Sequence, residues 1–205
     1  MPEFDSIFFD FDGVLLDSEP VHCACWAEVL KPLGVILEWE YYRDCCIGID
    51  DRDMLRTMAA AADPPRDWQE LWAQYGKKKE LYRSRMIGAP PFPDTIGGLL
   101  ESLDGRYRLA VVSSSSCVEV EPLLEAGGLR RFFQTIVGGG DVTRQKPDPE
   151  PYLLAAKRLG SKRALVLEDS AAGMAAGRAA GFEVIAVRHP TEVPGLLRGR
   201  LGAEI

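Results

Sequence analysis

The sequence predicts an α/β protein: a parallel sheet with helices on both faces, and an α-helical domain inserted after the first strand. Three observations predict it. Short unbroken apolar runs, among them Ile7-Phe8-Phe9, Leu109-Ala110-Val111-Val112 and Ala164-Leu165-Val166-Leu167, have the continuous hydrophobicity of strands covered on both faces. From Asp94 onward such runs alternate with helical patterns, as βαβ units do. Between about Asp17 and Ile87 nothing alternates with a strand's period, and apolar residues recur at helical spacing instead.

The first strand breaks abruptly into Asp10-Phe11-Asp12-Gly13, two carboxylates one residue apart followed by the residue best suited to a sharp turn. Taken alone, Asp-x-Asp-Gly is also an ordinary turn. In the insertion, a first helix carrying Trp26, Val29, Leu30 and Leu33 ends at Gly34. A short second helix covers Glu38 to Cys45, and a third runs from Asp50 or Asp51 through Met54, Leu55 and Met58 into alanines 59–62. The fourth carries Trp68, Leu71, Trp72, Tyr75, Tyr82 and Met86 as one apolar stripe, the core of a small bundle. Lys77-Lys78-Lys79 within it reads as a solvated face. Gly88-Ala89-Pro90-Pro91-Phe92-Pro93 ends the helical pattern as a hinge or linker does.

The remaining elements follow in turn. Ile96, Leu99, Leu100 and Leu103 form a helix face, and Arg108 to Ser113 a strand. A helix over 118–126 leads to a short strand, Ile136-Val137. Asp148-Pro149 starts a helix, with proline at its first position, and Gly160 stops it. Ala164 to Leu167 is a strand ending in Glu168-Asp169, followed by a helix over 171–180 and a last strand, Val184 to Val187. Gly173, Gly177 and Gly181 recur every four residues and suggest close packing of that helix on the sheet. The cover of the sheet edge after Val187 has no assignment.

The chain has 205 residues, 46% hydrophobic and 27% charged, the composition of a globular protein, with a net charge of -7. That charge argues against nucleic acid or an anionic membrane as partner. The acidic N-terminus, whose apolar stretch stops at Asp10, has neither the length nor the character of a signal peptide or a membrane span. Five cysteines without Cys-x-x-Cys spacing read as reduced thiols used as small apolar residues, so a cytoplasmic location and a monomer are expected.

Three strands thus end in polar groups at one sheet edge: Asp10 and Asp12, Ser113, and Glu168-Asp169, with Lys146 in a loop just before a helix. Right-handed crossovers bring those ends together. Each has a plain structural reading, as a turn serine, a surface lysine or a helix cap; their coincidence does not. Phe9-Asp10-Phe11-Asp12-Gly13-Val14-Leu15-Leu16-Asp17-Ser18-Glu19, Val111-Val112-Ser113, Lys146-Pro147-Asp148-Pro149 and Leu167-Glu168-Asp169-Ser170 together resemble the motifs of the haloacid dehalogenase superfamily, in its β-phosphoglucomutase-like branch.

The resemblance implies a Rossmann-like catalytic core at 1–16 and 88–205 and a helical cap at 17–87. It also implies a phosphatase of a small phosphorylated metabolite, a sugar phosphate being one candidate, acting through an aspartyl-phosphate. Asp10 would be the nucleophile and Asp12 the acid and base. Mg²⁺ would be held by Asp10, Asp12 through its carbonyl, and Asp169, with Glu168 beside them. Ser113, Ser114 and Lys146 would bind the phosphoryl oxygens. His22, Asp51 and Arg52 match cap positions that face substrate in the mutases. A phosphomutase is the alternative, and a non-catalytic protein on the same fold a third reading. In the mutases, cationic groups hold a second phosphate. Here Asp51 stands where an ungapped match expects an arginine, with Arg52 next to it, and no lysine follows Ser113 in Ser114-Ser115-Ser116-Cys117. Both departures favour the phosphatase.

Overall fold

The computed structural model describes residues 3–47 and 49–202. Gly48, the glycine preceding the Ile49-Asp50-Asp51-Arg52 segment, lies outside the described residues. The chain divides into two compact units: one runs to Asp17 and resumes at Ala89, and the other is Ser18–Gly88.

The first unit holds a five-stranded, wholly parallel sheet made of β1 (Ser6–Phe9), β2 (Arg108–Val112), β3 (Thr135–Val137), β4 (Ala164–Glu168) and β5 (Glu183–Ala186), in the order β3-β2-β1-β4-β5. β1 is central, with Phe9 in register with Val111 on one side and Leu167 on the other. All four of its residues are buried, which explains its unbroken apolar character. From β1 the chain builds outward to β2 and β3, then returns across the sheet to lay β4 on β1's other side. The order therefore reverses between β1 and β4, and open α/β sheets bind ligands at the carboxyl ends of strands at such a reversal.

The second unit is helical: α1 (Glu19–Leu30), α2 (Trp39–Cys45), α3 (Asp51–Ala61), α4 (Trp68–Trp72) and α5 (Tyr75–Gly88). Its core gathers Trp26, Leu30, Leu37, Tyr42, Met54, Leu55 and Leu71. Two expectations need correction here. The aromatic stripe from Trp68 to Met86 is carried by two helices, not one. The chain closes a tight turn at 73–74, where the Gln74 N–H donates to Leu71 O at 3.1 Å, and Trp72 stacks on Tyr75 with centroids 4.4 Å apart. Periodicity cannot register such a break, because both helices keep their apolar residues on the shared core. Nor is the lysine run wholly solvated: Lys78 is only 3% exposed. Its ammonium is taken up by Asp51 and His22 and faces the rings of Trp26 and Tyr82.

Five further helices cover the sheet: α6 (Ile96–Leu103), α7 (Cys117–Ala126), α8 (Glu150–Leu159), α9 (Ala171–Ala179) and α10 (Val193–Leu201). α8 packs on β2, β3 and α9, whereas α6 meets α10. Right-handed crossovers put those two pairs on opposite faces. α10 is the cover that the sequence left unassigned. Ile96, Leu99, Leu100 and Leu103 of α6 are all buried, as their spacing requires. α8 begins one residue later than expected, with Pro149 in the capping position rather than inside the helix. The glycines of α9 do two jobs. A Cβ on Gly177 would lie 2.8 Å from the Val184 side chain, so this residue brings the helix onto the sheet. Gly173 instead lies against Glu168, where a Cβ would fall 1.7 Å from Oε1. All five cysteines are free thiols. Among the described residues no helix is long and apolar enough to cross a membrane.

Candidate active site

The backbone extends β1 by one more step, the Asp10 N–H donating to Leu167 O at 3.0 Å, and then turns. Gly13 makes the turn possible. Its φ is +75°, and a Cβ there would stand 2.1 Å from Asp169 Oδ2, so only glycine admits the neighbouring carboxylate. Asp10 leaves the end of β1, Ser113 follows β2, Glu168 ends β4 and Asp169 comes next. Lys146 arrives from the loop between β3 and α8. An ammonium has three hydrogens to donate, and Lys146 Nζ directs them to Asp10 Oδ1 at 2.6 Å, Val112 O at 2.9 Å and Glu168 Oε1 at 2.5 Å. Asp10, Asp12, Ser113, Ser114, Ser115, Lys146, Asp169 and Ser170 line a cavity of about 210 Å³.

Charge in this cavity is unbalanced. Asp10, Asp12, Glu168 and Asp169 oppose the single ammonium of Lys146. Burial raises the Asp10 carboxyl to about 8, against the pull of Lys146 and with the charges of Glu168 and Asp12 adding to the rise. Asp169 is open to solvent on one side, yet burial of the remainder, together with Glu168, raises it to about 6. Burial opposes the Lys146 ammonium too, but Asp10 and Glu168 more than compensate and its pKa is raised. Carboxylates held above their usual range, with one cation among them, mark a site that further positive charge would stabilise. Oxygen atoms of Asp10, Glu168 and Asp169 lie within 4.8 Å of one another. An all-oxygen set suits a hard divalent cation such as Mg²⁺, so the residues present fit the ion.

Several contacts at the site had no sequence signal of their own. The Tyr152 hydroxyl, from the buried face of α8, donates to Glu168 Oε1 at 2.9 Å. The Ser170 N–H and hydroxyl donate to Glu168 Oε2 at 3.1 and 3.0 Å, while Ser170 Oγ accepts from the Gly173 N–H and caps α9. The Ser115 N–H donates to Ser113 Oγ at 3.0 Å, and the Ser115 hydroxyl reaches Asp12 Oδ2 at 3.4 Å. In the sequence Tyr152 is one more residue of an apolar helix face, and Ser115 one serine among four.

The structure thus brings together Asp10, Asp12, Ser113, Ser114, Lys146, Glu168 and Asp169. His22, Asp51 and Arg52 belong to the helical unit. There Asp51 accepts from Trp26 Nε1 at 2.9 Å and Lys78 Nζ at 3.2 Å, so both its oxygens are engaged. His22 Nδ1 lies 2.7 Å from Lys78 Nζ, and its ring stacks on Tyr82. Since an ammonium only donates, that nitrogen is the acceptor and the proton of the neutral ring sits on Nε2. Burial, then the Lys78 charge, lower His22 to about 4, against the opposing influence of Asp51. The Arg52 guanidinium lies over the Trp72 ring at 4.8 Å.

The chain is similar to known proteins over most of its length. A fructose-1-phosphate phosphatase of Escherichia coli (strain K12) is 31% identical over 188 residues, covering 90% of this chain and 97% of that protein. A phosphorylated carbohydrates phosphatase of Thermotoga maritima is 28% identical, covering 88% and 83%. In fold, the chain is similar to an HAD-superfamily hydrolase of subfamily IA, variant 1, from Geobacter sulfurreducens, with a TM-score of 0.77 at 23% identity over 96% of this chain and 97% of that one. Residues 7–187, which run from the second residue of β1 through β5 and include Asp10, Asp12, Glu168 and Asp169, match the model of the haloacid dehalogenase-like hydrolase family, and the chain belongs to that family.

Proposed function

We propose that this phosphoric monoester hydrolase removes phosphate from a small phosphorylated carbohydrate, with Mg²⁺ as cofactor and an aspartyl-phosphate on Asp10 as intermediate. The observation that carries the reading is Lys146 Nζ, held between Asp10 Oδ1 and Glu168 Oε1 at the floor of a carboxylate-lined cavity. An uncatalysed phosphate monoester is so inert that rate enhancements of up to ~10²¹ are needed. A carboxylate nucleophile divides the task into two in-line transfers.

In the first, an Asp10 carboxylate oxygen forms a bond to phosphorus while the bond to the sugar oxygen breaks, and Asp12 gives that oxygen a proton. In the second, Asp12 takes a proton from water as the water oxygen bonds to phosphorus and Asp10 leaves. Lys146 keeps its contact with Asp10 and stabilises charge that moves onto the phosphoryl oxygens. Ser113 accepts from the Ser115 N–H, which leaves its own hydroxyl hydrogen for a phosphoryl oxygen. Asp10, Asp169 and the Asp12 carbonyl would hold Mg²⁺, which when bound neutralises the repulsion between carboxylate and phosphate.

Two relatives whose names specify phosphorylated sugars support the carbohydrate class. A mutase would have to retain a second phosphate, and the Ser113–Cys117 loop offers hydroxyls where a lysine would serve that purpose. The test is phosphate release from a panel of sugar monophosphates with Mg²⁺ and with chelator. Metal-dependent release from one or more is expected. Isomerisation of a sugar phosphate without release would overturn the phosphatase in favour of the mutase.

A further inference from the structure

Glu168 is the one carboxylate of the site with no exposure to solvent. An ionised carboxylate offers about four acceptor positions. Here the protein supplies four donors: Lys146 Nζ and the Tyr152 hydroxyl to Oε1, and the N–H and hydroxyl of Ser170 to Oε2. Gly173 closes against the same carboxylate from the side of α9. Glu168 is therefore within reach of Asp10 and Asp169 yet has no lone pair left for a cation. The Tyr152 side chain is itself fully buried, and its ring lies 5.1 Å from Lys146 Nζ. One aromatic residue thus touches both the carboxylate and the ammonium that it anchors.

We infer that the Tyr152 hydroxyl is a positioning group: it occupies Glu168 so that this carboxylate anchors Lys146 and stays out of the coordination shell of the metal. The inference rests on the function proposed above and adds a determinant of metal choice to it. Mg²⁺ demands six oxygens in tight octahedral geometry and keeps several waters, whereas Ca²⁺ takes six to eight at longer range. A site that withholds one of its carboxylates favours the smaller ion. In Tyr152→Phe, Oε1 has an open acceptor position, and the carboxylate can turn toward the cation as an added ligand. The ring stays, so the packing of α8 is kept.

The experiment is calorimetric titration of Mg²⁺ and of Ca²⁺, each alone, into wild type, Tyr152→Phe, Glu168→Gln and the double variant, with phosphate release measured alongside. Loss of a hydrogen bond to a charged group corresponds to about a tenfold effect. We expect Tyr152→Phe to raise Ca²⁺ affinity relative to Mg²⁺ by about tenfold. Its kcat should fall with little change in KM, because Lys146 loses its fixed anchor. Neither change should appear when Tyr152→Phe is added to Glu168→Gln, since the hydroxyl acts through Glu168. An unchanged affinity ratio in Tyr152→Phe overturns the inference, as does an equal effect in both backgrounds. If wild type binds neither ion and releases no phosphate, the proposed function fails first and the inference falls with it. Binding and turnover in wild type with a silent Tyr152→Phe would refute the inference alone.

Discussion

Asp10→Asn separates chemistry from stability, because the two should move in opposite directions. The amide keeps the size of the carboxyl but cannot attack phosphorus, so turnover should be abolished. In metal-free protein the effect on folding is favourable. Burial raises the Asp10 carboxyl from 3.8 to about 8 even against Lys146, and at about 1.4 kcal/mol per pKa unit the net penalty on its ionisation is several kcal/mol. That penalty already contains the pull of Lys146 across the 2.6 Å contact, and the amide oxygen of asparagine can still accept from the same ammonium. The variant should therefore melt several degrees above wild type where wild type must ionise, at roughly 2–4 °C per kcal/mol for a chain of this size. The gap should narrow as pH falls and close near 4, where the unfolded carboxyl also takes up its proton. Adding Mg²⁺ should reverse the order, since wild type gains a ligand that the variant lacks. The assay is thermal unfolding by circular dichroism from pH 5 to 9, with chelator and with Mg²⁺. A gap that does not change with pH, or a variant that melts well below wild type in chelator, would refute the reasoning.

The same electrostatics set the pH dependence of wild type. Asp10 and Asp169 are raised in the folded state, so between about 4 and 8 the native protein binds more protons than the unfolded chain, and metal-free stability should fall as pH rises through that window. Mg²⁺ at 100 times its dissociation constant should restore about 2.7 kcal/mol, seen as a higher Tm; a Tm indifferent to Mg²⁺ at pH 8 would contradict this. His22 acts in the opposite sense. Lowered to about 4, it binds fewer protons when folded than when unfolded, so stability in the helical unit should drop as pH falls from 6.5 toward 4, and hydrogen exchange resolved by unit would show it. Lys78→Met should lower Tm by about 4–8 °C, for a loss of ~2 kcal/mol, because it removes the cation facing Asp51 and His22. It should also raise the His22 pKa, measurable from ring resonances by NMR. An unchanged melting curve would mean that the ion pair is dispensable.

What was legible in the sequence, and what was not, follows from how each contact is encoded. β1 to β4 were legible because they are largely buried and carry runs of apolar residues, down to the three-residue β3 with Ile136 and Val137, and the half-buried β5 keeps Val184 and Ile185. The groups lining the cavity were legible because parallel strands put their C-terminal residues at one edge, so position in the chain stands in for position in space. Tyr152 and Ser115 were not legible. Their roles depend on a hydroxyl reaching across from a neighbouring element, and nothing in local spacing records that. Lys78 shows the converse failure: a run of three lysines looks solvated, and only the packing of α1 against α5 turns the middle one inward. The split between α4 and α5 leaves no mark on the apolar spacing because Leu71 of α4 and Tyr75 of α5 serve the same core.

The most direct measurement on the central claim is chemical identification of the intermediate. Enzyme mixed with a sugar monophosphate that it hydrolyses would be quenched within one turnover and reduced with borohydride, which converts a phosphorylated aspartate to homoserine. Peptide mass spectrometry then reads the position. The account predicts homoserine at residue 10 in wild type and at no position in Asp10→Asn. Rapid phosphate release with residue 10 unmodified, or modification at another aspartate, would contradict it.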